Sequence, residues 1–231
     1  MTISGAEIDR REFQLREWLR SYGWRRALVH VAGALSLAGA APALAADKLV
    51  LAFGDSLTAG YGLKPNESFP AQLEASLRRQ GVAARVHNAG VSGDTTAGGK
   101  ARLAWVLNAL KAKPDLAIVE LGANDMLRGL PVAQARGNLD AILGELQRRR
   151  IPVLLAGMRS APNMGRAYVA GFEGMYPTLA GKYRAGLYPF FLDGVTGQRG
   201  LTLPDGLHPT ARGVGVIVRG ITPRVKAALA R

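Results

Sequence analysis

The first strand is predicted at Lys48-Leu49-Val50-Leu51-Ala52-Phe53, a short apolar run that ends at Gly54 and is followed at once by Asp55-Ser56. Similar apolar runs recur along the chain at 85–86, 116–121, 153–156 and 188–192. Short runs of nearly continuous apolar residues are typical of parallel strands that helices cover on both faces. The run at 48–53 therefore predicts the first strand of a buried parallel sheet.

Helices are predicted between these strands. In one of them Phe69, Leu73 and Leu77 recur at intervals of four residues, after Ser68 and before Gly81. This spacing gives a helix one apolar face. The other segments with helical spacing cover 96–111, 132–149, 166–183 and 210–229, the last of them interrupted at Pro223. Strands that alternate with helices over short connections predict a three-layer α/β/α domain with a mainly parallel sheet.

The first 45 residues have the pattern of an export signal. Arg25 and Arg26 precede an apolar stretch, and Pro42-Ala43-Leu44-Ala45 resembles a small-residue cleavage site. An uncleaved membrane anchor is the alternative, but the stretch is mostly Ala and Gly and contains His30, so it is weakly hydrophobic. We predict cleavage near Ala45 and a periplasmic or secreted protein. The pair Arg10-Arg11 leaves the twin-arginine and general secretory routes both open.

The composition narrows the chemistry that the chain can perform. Apolar residues make up 48% and charged residues 20%, the balance of a globular protein. Roughly 186 residues follow the leader, enough for one well-buried domain at 46–231. Cys is absent and only His87 and His208 lie beyond the leader, which excludes thiolate chemistry and a histidine-rich metal site. Gly60-Tyr61-Gly62 lacks the third glycine of a dinucleotide fingerprint. We expect neither a metal nor a cofactor.

The charge of the chain is strongly positive. The net charge is +13, and +11 remains when the leader's six arginines and four acidic residues are removed. The one tight basic run, Arg148-Arg149-Arg150, ends a predicted helix, where cations suit the helix dipole, and no aromatic residues interleave it for base stacking. We therefore expect no nucleic-acid partner. The charge is compatible with a weak contact with an anionic membrane surface.

Three residues have the complementary roles that nucleophilic catalysis requires. Ser56 follows the first strand at the start of a helix, although a lone serine there could simply cap that helix. Thr58 departs from the Gly-x-Ser-x-Gly elbow of α/β-hydrolases. A serine needs a base and an orienting carboxylate, which His208 and Asp205 can supply from one turn. His87 lies on the second predicted strand, where a structural role is expected.

Acyl transfer also needs hydrogen-bond donors for the oxyanion that develops on the substrate. Gly93 has no side chain to obstruct a substrate oxygen, and the Asn124 amide can donate without acting as an acid. An ordinary turn at Gly93 and a backbone cap at Asn124 are the alternatives. Ligands bind beyond the carboxyl ends of the strands in such sheets, so these residues and Ser56 could converge there. We expect Asp55, Asp94 and Asp125 to order their own turns.

Four ordered segments resemble the blocks of the SGNH, or GDSL, hydrolase family. They are Gly54-Asp55-Ser56-Leu57-Thr58, Asn88-Ala89-Gly90-Val91-Ser92-Gly93-Asp94-Thr95, Gly122-Ala123-Asn124-Asp125 and Asp205-Gly206-Leu207-His208-Pro209. The resemblance covers nearly all of 48–230. It implies Ser56 as nucleophile, Asp205 and His208 as acid and base, and Ser56, Gly93 and Asn124 as the oxyanion hole. It also implies a flavodoxin-like sheet.

Two further segments, Val119-Glu120-Leu121-Gly122 and Pro162-Asn163-Met164-Gly165-Arg166, are similar to the periplasmic thioesterase I, arylesterase and lysophospholipase branch. This resemblance implies a serine esterase that hydrolyses small acyl esters, thioesters or lysophospholipids through a covalent acyl-enzyme. We expect a monomer, although the sequence leaves the oligomeric state open. A carbohydrate or cell-wall O-acetyl esterase would share the machinery, and a noncatalytic flavodoxin-like binding domain is the alternative from another class. Because Ala123 and 158–164 differ from close relatives, the preferred acyl length stays open.

Overall fold

The strands of the protein form one parallel sheet. A computed structural model describes residues 47–230, so the predicted export signal at 1–45 lies outside the described residues. The strands are β1 (Lys48–Gly54), β2 (Ala84–Gly90), β3 (Leu116–Glu120), β4 (Val153–Ala156) and β5 (Gly186–Tyr188). They lie in the order β2-β1-β3-β4-β5, and every neighbouring pair is parallel. The predicted parallel sheet is confirmed.

Helices cover both faces of this sheet. They are α1 (Ser56–Ala59), α2 (Phe69–Arg79), α3 (Thr96–Ala109), α4 (Ala123–Leu127), α5 (Val132–Arg148), α6 (Arg166–Tyr183) and α7 (Ala211–Leu229). The pair α2 and α7 pack together, and α3 packs on α5, which packs on α6. Because parallel crossovers are right-handed, the reversal of strand order after β2 places these two groups on opposite faces. The predicted three-layer architecture is confirmed. None of the described helices combines the length and apolar character needed to cross a bilayer.

The core lies around the two central strands. All five residues of β3 are buried, and so are the last five of β1. The prediction of continuously apolar strands is wrong for β2, which runs from Ala84 to Gly90 at an edge of the sheet and leaves Arg85, His87 and Asn88 exposed. An edge strand is covered less completely than a central one, so polar residues are tolerated and the apolar run predicted only two residues of it.

The predicted position of β5 at 188–192 is also wrong, because the strand spans Gly186–Tyr188. Pro189 follows at once, and proline has no N–H to continue a ladder of hydrogen bonds. The chain turns instead, with Gly157 N donating to Tyr188 O at 2.8 Å and Phe191 N donating to Gly157 O at 2.8 Å. Phe191 is fully buried as part of a loop rather than a strand.

Pro223 does not interrupt the last helix, contrary to the prediction. The helix α7 continues through it to Leu229. Pro223 is exposed, so water can reach the carbonyl group that the missing N–H leaves without a partner. Ile221 and Val225 are fully buried on either side of it. Tertiary packing therefore holds the helix together across the proline.

Candidate active site

The serine predicted as nucleophile begins α1, in the turn that leaves β1. Asp55 caps this four-residue helix, with its Oδ1 accepting a hydrogen bond from Leu57 N at 2.9 Å. Ser56 is only 8% exposed, and its backbone N–H donates to no acceptor among residues 47–230. A free N–H at a helix start carries partial positive charge, which suits a negatively charged oxygen.

The structure brings the three predicted catalytic side chains together. His208 Nε2 lies 2.9 Å from Ser56 Oγ, and His208 Nδ1 lies 2.6 Å from Asp205 Oδ2. The carboxylate, imidazole and hydroxyl thus form one chain of hydrogen bonds. This is the geometry in which an imidazole can take a proton from serine while a carboxylate fixes the ring.

The turn that carries Asp205 and His208 is closed by its own hydrogen bonds. Leu203 N donates to His208 O at 2.7 Å, and Gly206, with φ of 70°, donates its N–H to Leu203 O at 3.0 Å. Asp205 Oδ1 accepts from the N–H groups of His208 at 3.0 Å and Leu207 at 2.9 Å. These two bonds, followed by the one to the imidazole, lower the pKa of Asp205 to about 2. Asp205 is therefore an anion at neutral pH.

The turn that contains Gly93 lies beside the end of β1. Val91 N donates to Gly54 O at 3.0 Å, which joins the two segments. Gly93 is exposed, has φ of 83°, and donates its N–H to no acceptor within the described part of the chain. A side chain would be strained at this φ, so glycine suits the position.

Asn124 lies in the first turn of α4 and bridges two of the other segments. Its Nδ2 donates to Asp94 O at 2.9 Å and to Asp55 Oδ2 at 3.2 Å. Both amide hydrogens are thus in use. An incoming oxyanion would have to share or replace the longer of these bonds, the one to Asp55.

The three aspartates predicted to order their turns have different partners. Asp55 caps its own helix, and burial, the largest influence on it, raises its pKa to about 6. Asp94 instead forms an ion pair with Arg102 Nε at 2.6 Å. Asp125 accepts from Thr96 N at 2.8 Å and Thr96 Oγ1 at 2.6 Å, so it anchors the start of α3 rather than its own turn.

Two residues around the site were missed by the sequence analysis. Arg102 donates to Gly54 O at 2.9 Å and Ala89 O at 2.8 Å, and it lies over the Phe53 ring at 4.2 Å. No pattern in the sequence distinguishes an arginine that donates to the carbonyls of two strands from an ordinary arginine of a helix. The ring centroid of Tyr61 lies 4.4 Å from that of His208. Nothing in the sequence around Tyr61 indicates this contact with the imidazole.

Glu120, at the end of β3, was also missed as a site residue. It is fully buried, and its Oε2 accepts hydrogen bonds from Thr58 Oγ1 at 2.8 Å and Asp55 N at 3.4 Å. Its Oε1 is buried and has no hydrogen-bond partner among residues 47–230. Burial, and then the charge of Asp55, raise the pKa of Glu120 well above its usual value.

A cavity of about 570 Å³ opens at Ser56 and His208. This volume lies within the range of about 300–1,000 Å³ typical of small-molecule sites. The apolar residues of its wall are Leu57, Ala123, Met126, Leu127, Met158, Ala161, Pro162, Phe190, Leu192 and Leu207. Besides Ser56 and His208, its polar side chains are those of Asn124, Arg159, Ser160, Asp193, Thr196 and Gln198. Within the described residues, no three His, Asp or Glu side chains are grouped so that they could hold a metal ion.

Comparisons with known proteins show the family of the chain. Residues 52–216 match the GDSL-like Lipase/Acylhydrolase family. The chain is 38% identical over 185 residues to esterase TesA of Pseudomonas aeruginosa, covering 80% of this chain and 91% of that one. It is 37% identical over 167 residues to "Thioesterase 1/protease 1/lysophospholipase L1" of Escherichia coli K12, covering 72% and 77%.

A solved structure is similar as well. AlinE4, described as an SGNH-hydrolase family esterase, is 56% identical with a TM-score of 0.68, covering 79% of this chain and 97% of its own. The family match spans well over half of the chain. The sequence, the fold and the site geometry therefore agree that the chain belongs to the GDSL-like lipase/acylhydrolase family.

Proposed function

We propose that this protein hydrolyses acyl esters or thioesters with Ser56 as nucleophile. The observation that carries the proposal is the chain of hydrogen bonds from Asp205 through His208 to Ser56, with distances of 2.6 and 2.9 Å. This chain ends at an apolar cavity. The serine hydroxyl, its base and the orienting carboxylate therefore meet where an acyl group can bind.

In the first step, Ser56 Oγ attacks the acyl carbonyl carbon while His208 Nε2 takes the hydroxyl proton. Asp205 keeps its negative charge, because its pKa is about 2, and stabilises the imidazolium through Nδ1. When the tetrahedral intermediate collapses, the bond to the leaving alcohol or thiol breaks and His208 returns the proton to it. The acyl group is left esterified to Ser56.

In the second step, His208 takes a proton from water as that water attacks the acyl-enzyme. The intermediate releases the carboxylic acid, and Ser56 regains its proton. In both steps the substrate oxygen becomes negative. We propose that the N–H groups of Ser56 and Gly93 donate to it, together with the Asn124 amide, which shares or gives up its bond to Asp55. Each such donor contributes a factor of about 10²–10³ to the rate.

The cavity supports an acyl group as the part of the substrate that is recognised. Leu57 and Met126 are among the apolar residues of its wall, and the guanidinium of Arg159 lies over the Phe190 ring at 4.8 Å. An apolar wall gains free energy from burying methylene groups, at about 0.8 kcal/mol each. The names of the relatives, an esterase and a thioesterase/lysophospholipase, agree with acyl esters and thioesters as substrates.

The proposal is tested with purified wild type, Ser56→Ala and His208→Ala. The substrates are p-nitrophenyl esters of increasing acyl length, acyl-coenzyme A, a lysophospholipid and acetylated sugars. We expect both variants to lose at least about 10³-fold in kcat/KM, because the triad acts as one unit. His87→Ala is the matched control and should keep its activity, since His87 is exposed on β2.

Other outcomes identify the alternatives. Preference for acetylated sugars over longer acyl esters would indicate a carbohydrate O-acetyl esterase. Absence of any Ser56-dependent turnover would indicate a noncatalytic binding domain. A fluorophosphonate that still labels Ser56→Ala covalently would show that another residue is the nucleophile.

We also propose that residues 1–45 are an export signal and that 46–231 form a monomeric, periplasmic or secreted domain. The arginine-led apolar stretch and the small residues before Ala46 support export and cleavage. For protein recovered from the periplasm, the intact mass tests cleavage of the export signal, and light scattering tests whether the domain is monomeric. A mass that retains the first 45 residues would contradict cleavage, and Arg10→Lys with Arg11→Lys tests the twin-arginine route.

A further inference from the structure

Glu120 is a buried acid next to the nucleophile that the mechanism above does not use. Its Oε2 accepts hydrogen bonds from Asp55 N and Thr58 Oγ1, which belong to residues on either side of Ser56. One carboxyl oxygen of β3 therefore holds both ends of the turn that carries the nucleophile. A buried group with two such contacts fixes the position of the turn relative to the sheet.

The neighbouring sequence is fitted to this contact. Gly54 pairs with Glu120 in the β1–β3 register, and a Cβ at Gly54 would lie 2.6 Å from Glu120 Oε2. Any side chain at this position would push the carboxyl away. Thr58 supplies the second hydrogen bond where the α/β-hydrolase elbow has glycine. Gly54, Thr58 and Glu120 therefore act as one unit around Ser56.

The surroundings of Glu120 favour its uncharged form. Its Oε1 is buried without a donor among the described residues, and a buried carboxylate oxygen without a partner is costly. The titratable groups near it are Asp55, whose negative charge opposes a second anion, and the phenol of Tyr176. The Tyr176 hydroxyl donates its hydrogen bond to Leu121 O at 3.0 Å rather than to Glu120. An uncharged acid loses one hydrogen bond here, whereas an anion would lose its solvation.

We propose that Glu120 is a positioning residue for Ser56, an uncharged carboxyl group that holds Asp55 and Thr58 on either side of the nucleophile. This inference rests on the proposed function of Ser56. It predicts that catalysis depends on the shape and the acceptor oxygen of the side chain at position 120. A negative charge at this position is not required. Glutamine has that shape and oxygen without an ionisable group, so it is the conservative substitute.

The experiment compares kcat and KM of wild type, Glu120→Gln and Glu120→Leu on the best ester substrate. We expect Glu120→Gln to keep kcat within about threefold of wild type, because glutamine can accept both hydrogen bonds. Glu120→Leu should lower kcat by about 10- to 100-fold and leave KM within about threefold, because it displaces the nucleophile but not the cavity. At about pH 8, where Asp55 is ionised, infrared spectra should contain a protonated carboxylic acid band in wild type that both variants lack.

Thr58→Val and Thr58→Ser provide a second pair if Glu120→Leu does not fold. Valine removes one of the two hydrogen bonds and should lower kcat about 3- to 10-fold, whereas serine keeps the hydroxyl and should restore it. Wild-type kcat in Glu120→Leu or in Thr58→Val would overturn the proposal. So would a Glu120→Gln enzyme as slow as Glu120→Leu, or the absence of the infrared band.

These results are distinguishable from failure of the proposed function. If wild type has no Ser56-dependent turnover, the proposed function is wrong, and with it the positioning role. If wild type is active and depends on Ser56 but Glu120→Leu is equally active, only the positioning role is wrong. The infrared band tests the uncharged state of Glu120 independently of activity.

Discussion

Two aspartates beside the same serine have pKa values displaced in opposite directions. Three hydrogen bonds, led by the one from His208 N, lower the pKa of Asp205 to about 2. Burial raises the pKa of Asp55 to about 6. Asp205 is therefore charged at any pH at which the enzyme would be assayed, whereas Asp55 gains or loses its proton under mildly acidic conditions.

Folding stability should fall between about pH 4 and pH 6 because of Asp55. In this window the unfolded chain has lost the proton that the folded protein still holds, so the free energy of unfolding decreases as pH rises. A rise from 3.8 to about 6 corresponds to a loss on the order of 2–3 kcal/mol. Asp55→Asn removes this contribution, so its stability relative to wild type should increase across the window. Urea unfolding at several pH values measures the difference.

Asp140→Asn is the matched control for that experiment. A hydrogen bond from Lys182 lowers the pKa of Asp140, so its contribution to stability is present above about pH 4 and is lost only below it. The difference in the free energy of unfolding between wild type and Asp140→Asn should thus stay constant over about two pH units, from about pH 4.5 to about pH 6.5. If the difference in the free energy of unfolding between wild type and Asp55→Asn is also constant over this range, the pKa of Asp55 is not raised.

The residues with chemical signatures could be predicted from the sequence, whereas their supporting residues could not. Ser56, Asp205 and His208 stand in short segments whose residue types suggest a role, and the fold brings them within hydrogen-bond distance. Glu120 and Arg102 have their roles through neighbours far away in the chain. No local pattern distinguishes such a residue from an ordinary polar one.

The same limit applies to whole strands and helices. The predictions succeeded for the central strands, where burial on both faces demands continuous apolar residues. They failed at β2 and β5, where an edge position and Pro189 decide the extent of the strand. They also failed at Pro223, because buried neighbours hold α7 together. Hydrogen-bond partners and packing, rather than local composition, set these boundaries.

Substitution by alanine should change the stability of the protein in opposite directions at two glycines, Gly90 and Gly137. A Cβ at Gly90, at the end of β2, would lie 2.7 Å from Ala59 Cα, which is backbone and cannot move aside. Gly137 is exposed within α5 and has nothing within 4 Å of a Cβ. We expect Gly90→Ala to destabilise by about 1–3 kcal/mol and Gly137→Ala to stabilise by about 0.5–1 kcal/mol. Thermal and urea unfolding measure both, and destabilisation by Gly137→Ala would contradict the comparison.

Arg102 should be the most important cation of α3 for stability. It joins that helix to the ends of β1 and β2, and Asp94 would be left partly buried without its ion pair. We expect Arg102→Leu to lower the free energy of unfolding by about 2–4 kcal/mol. Lys100→Leu, an exposed cation of the same helix, should change it by less than about 0.5 kcal/mol. Equal effects in urea unfolding would show that Arg102 does not join these elements.

At the scale of the whole molecule, the positive charge should govern contact with membranes. Beyond the leader the chain has 24 basic and 13 acidic residues. We expect co-sedimentation with vesicles that contain anionic lipid at low ionic strength, and none with zwitterionic vesicles. Binding should weaken as salt increases, because the Debye length shrinks from about 30 Å at 0.01 M to about 8 Å at 0.15 M. Binding that resists salt would indicate apolar insertion instead.

The architecture was the most predictable property of the molecule. Alternating strands and helices leave few topologies once crossovers must be right-handed, and the observed strand order is one of them. The convergence of the four family segments follows from that topology, because parallel strands deliver their following loops to one edge of the sheet. The contents of the cavity wall depend on loop conformation, which is why the acyl length could not be predicted.

The base and much of the cavity wall come from one continuous stretch between β5 and α7. This stretch supplies Phe190, Leu192 and the proposed base His208, whereas the proposed nucleophile Ser56 begins α1, directly after β1. A change of substrate therefore does not require the nucleophile turn to be rebuilt. Exchanging residues 190–198 between relatives, while keeping Asp205 and His208, would replace part of the cavity wall and leave the proposed base in place. Changes at 190–198 therefore alter substrate selectivity while Ser56, His208 and Asp205 keep their contacts.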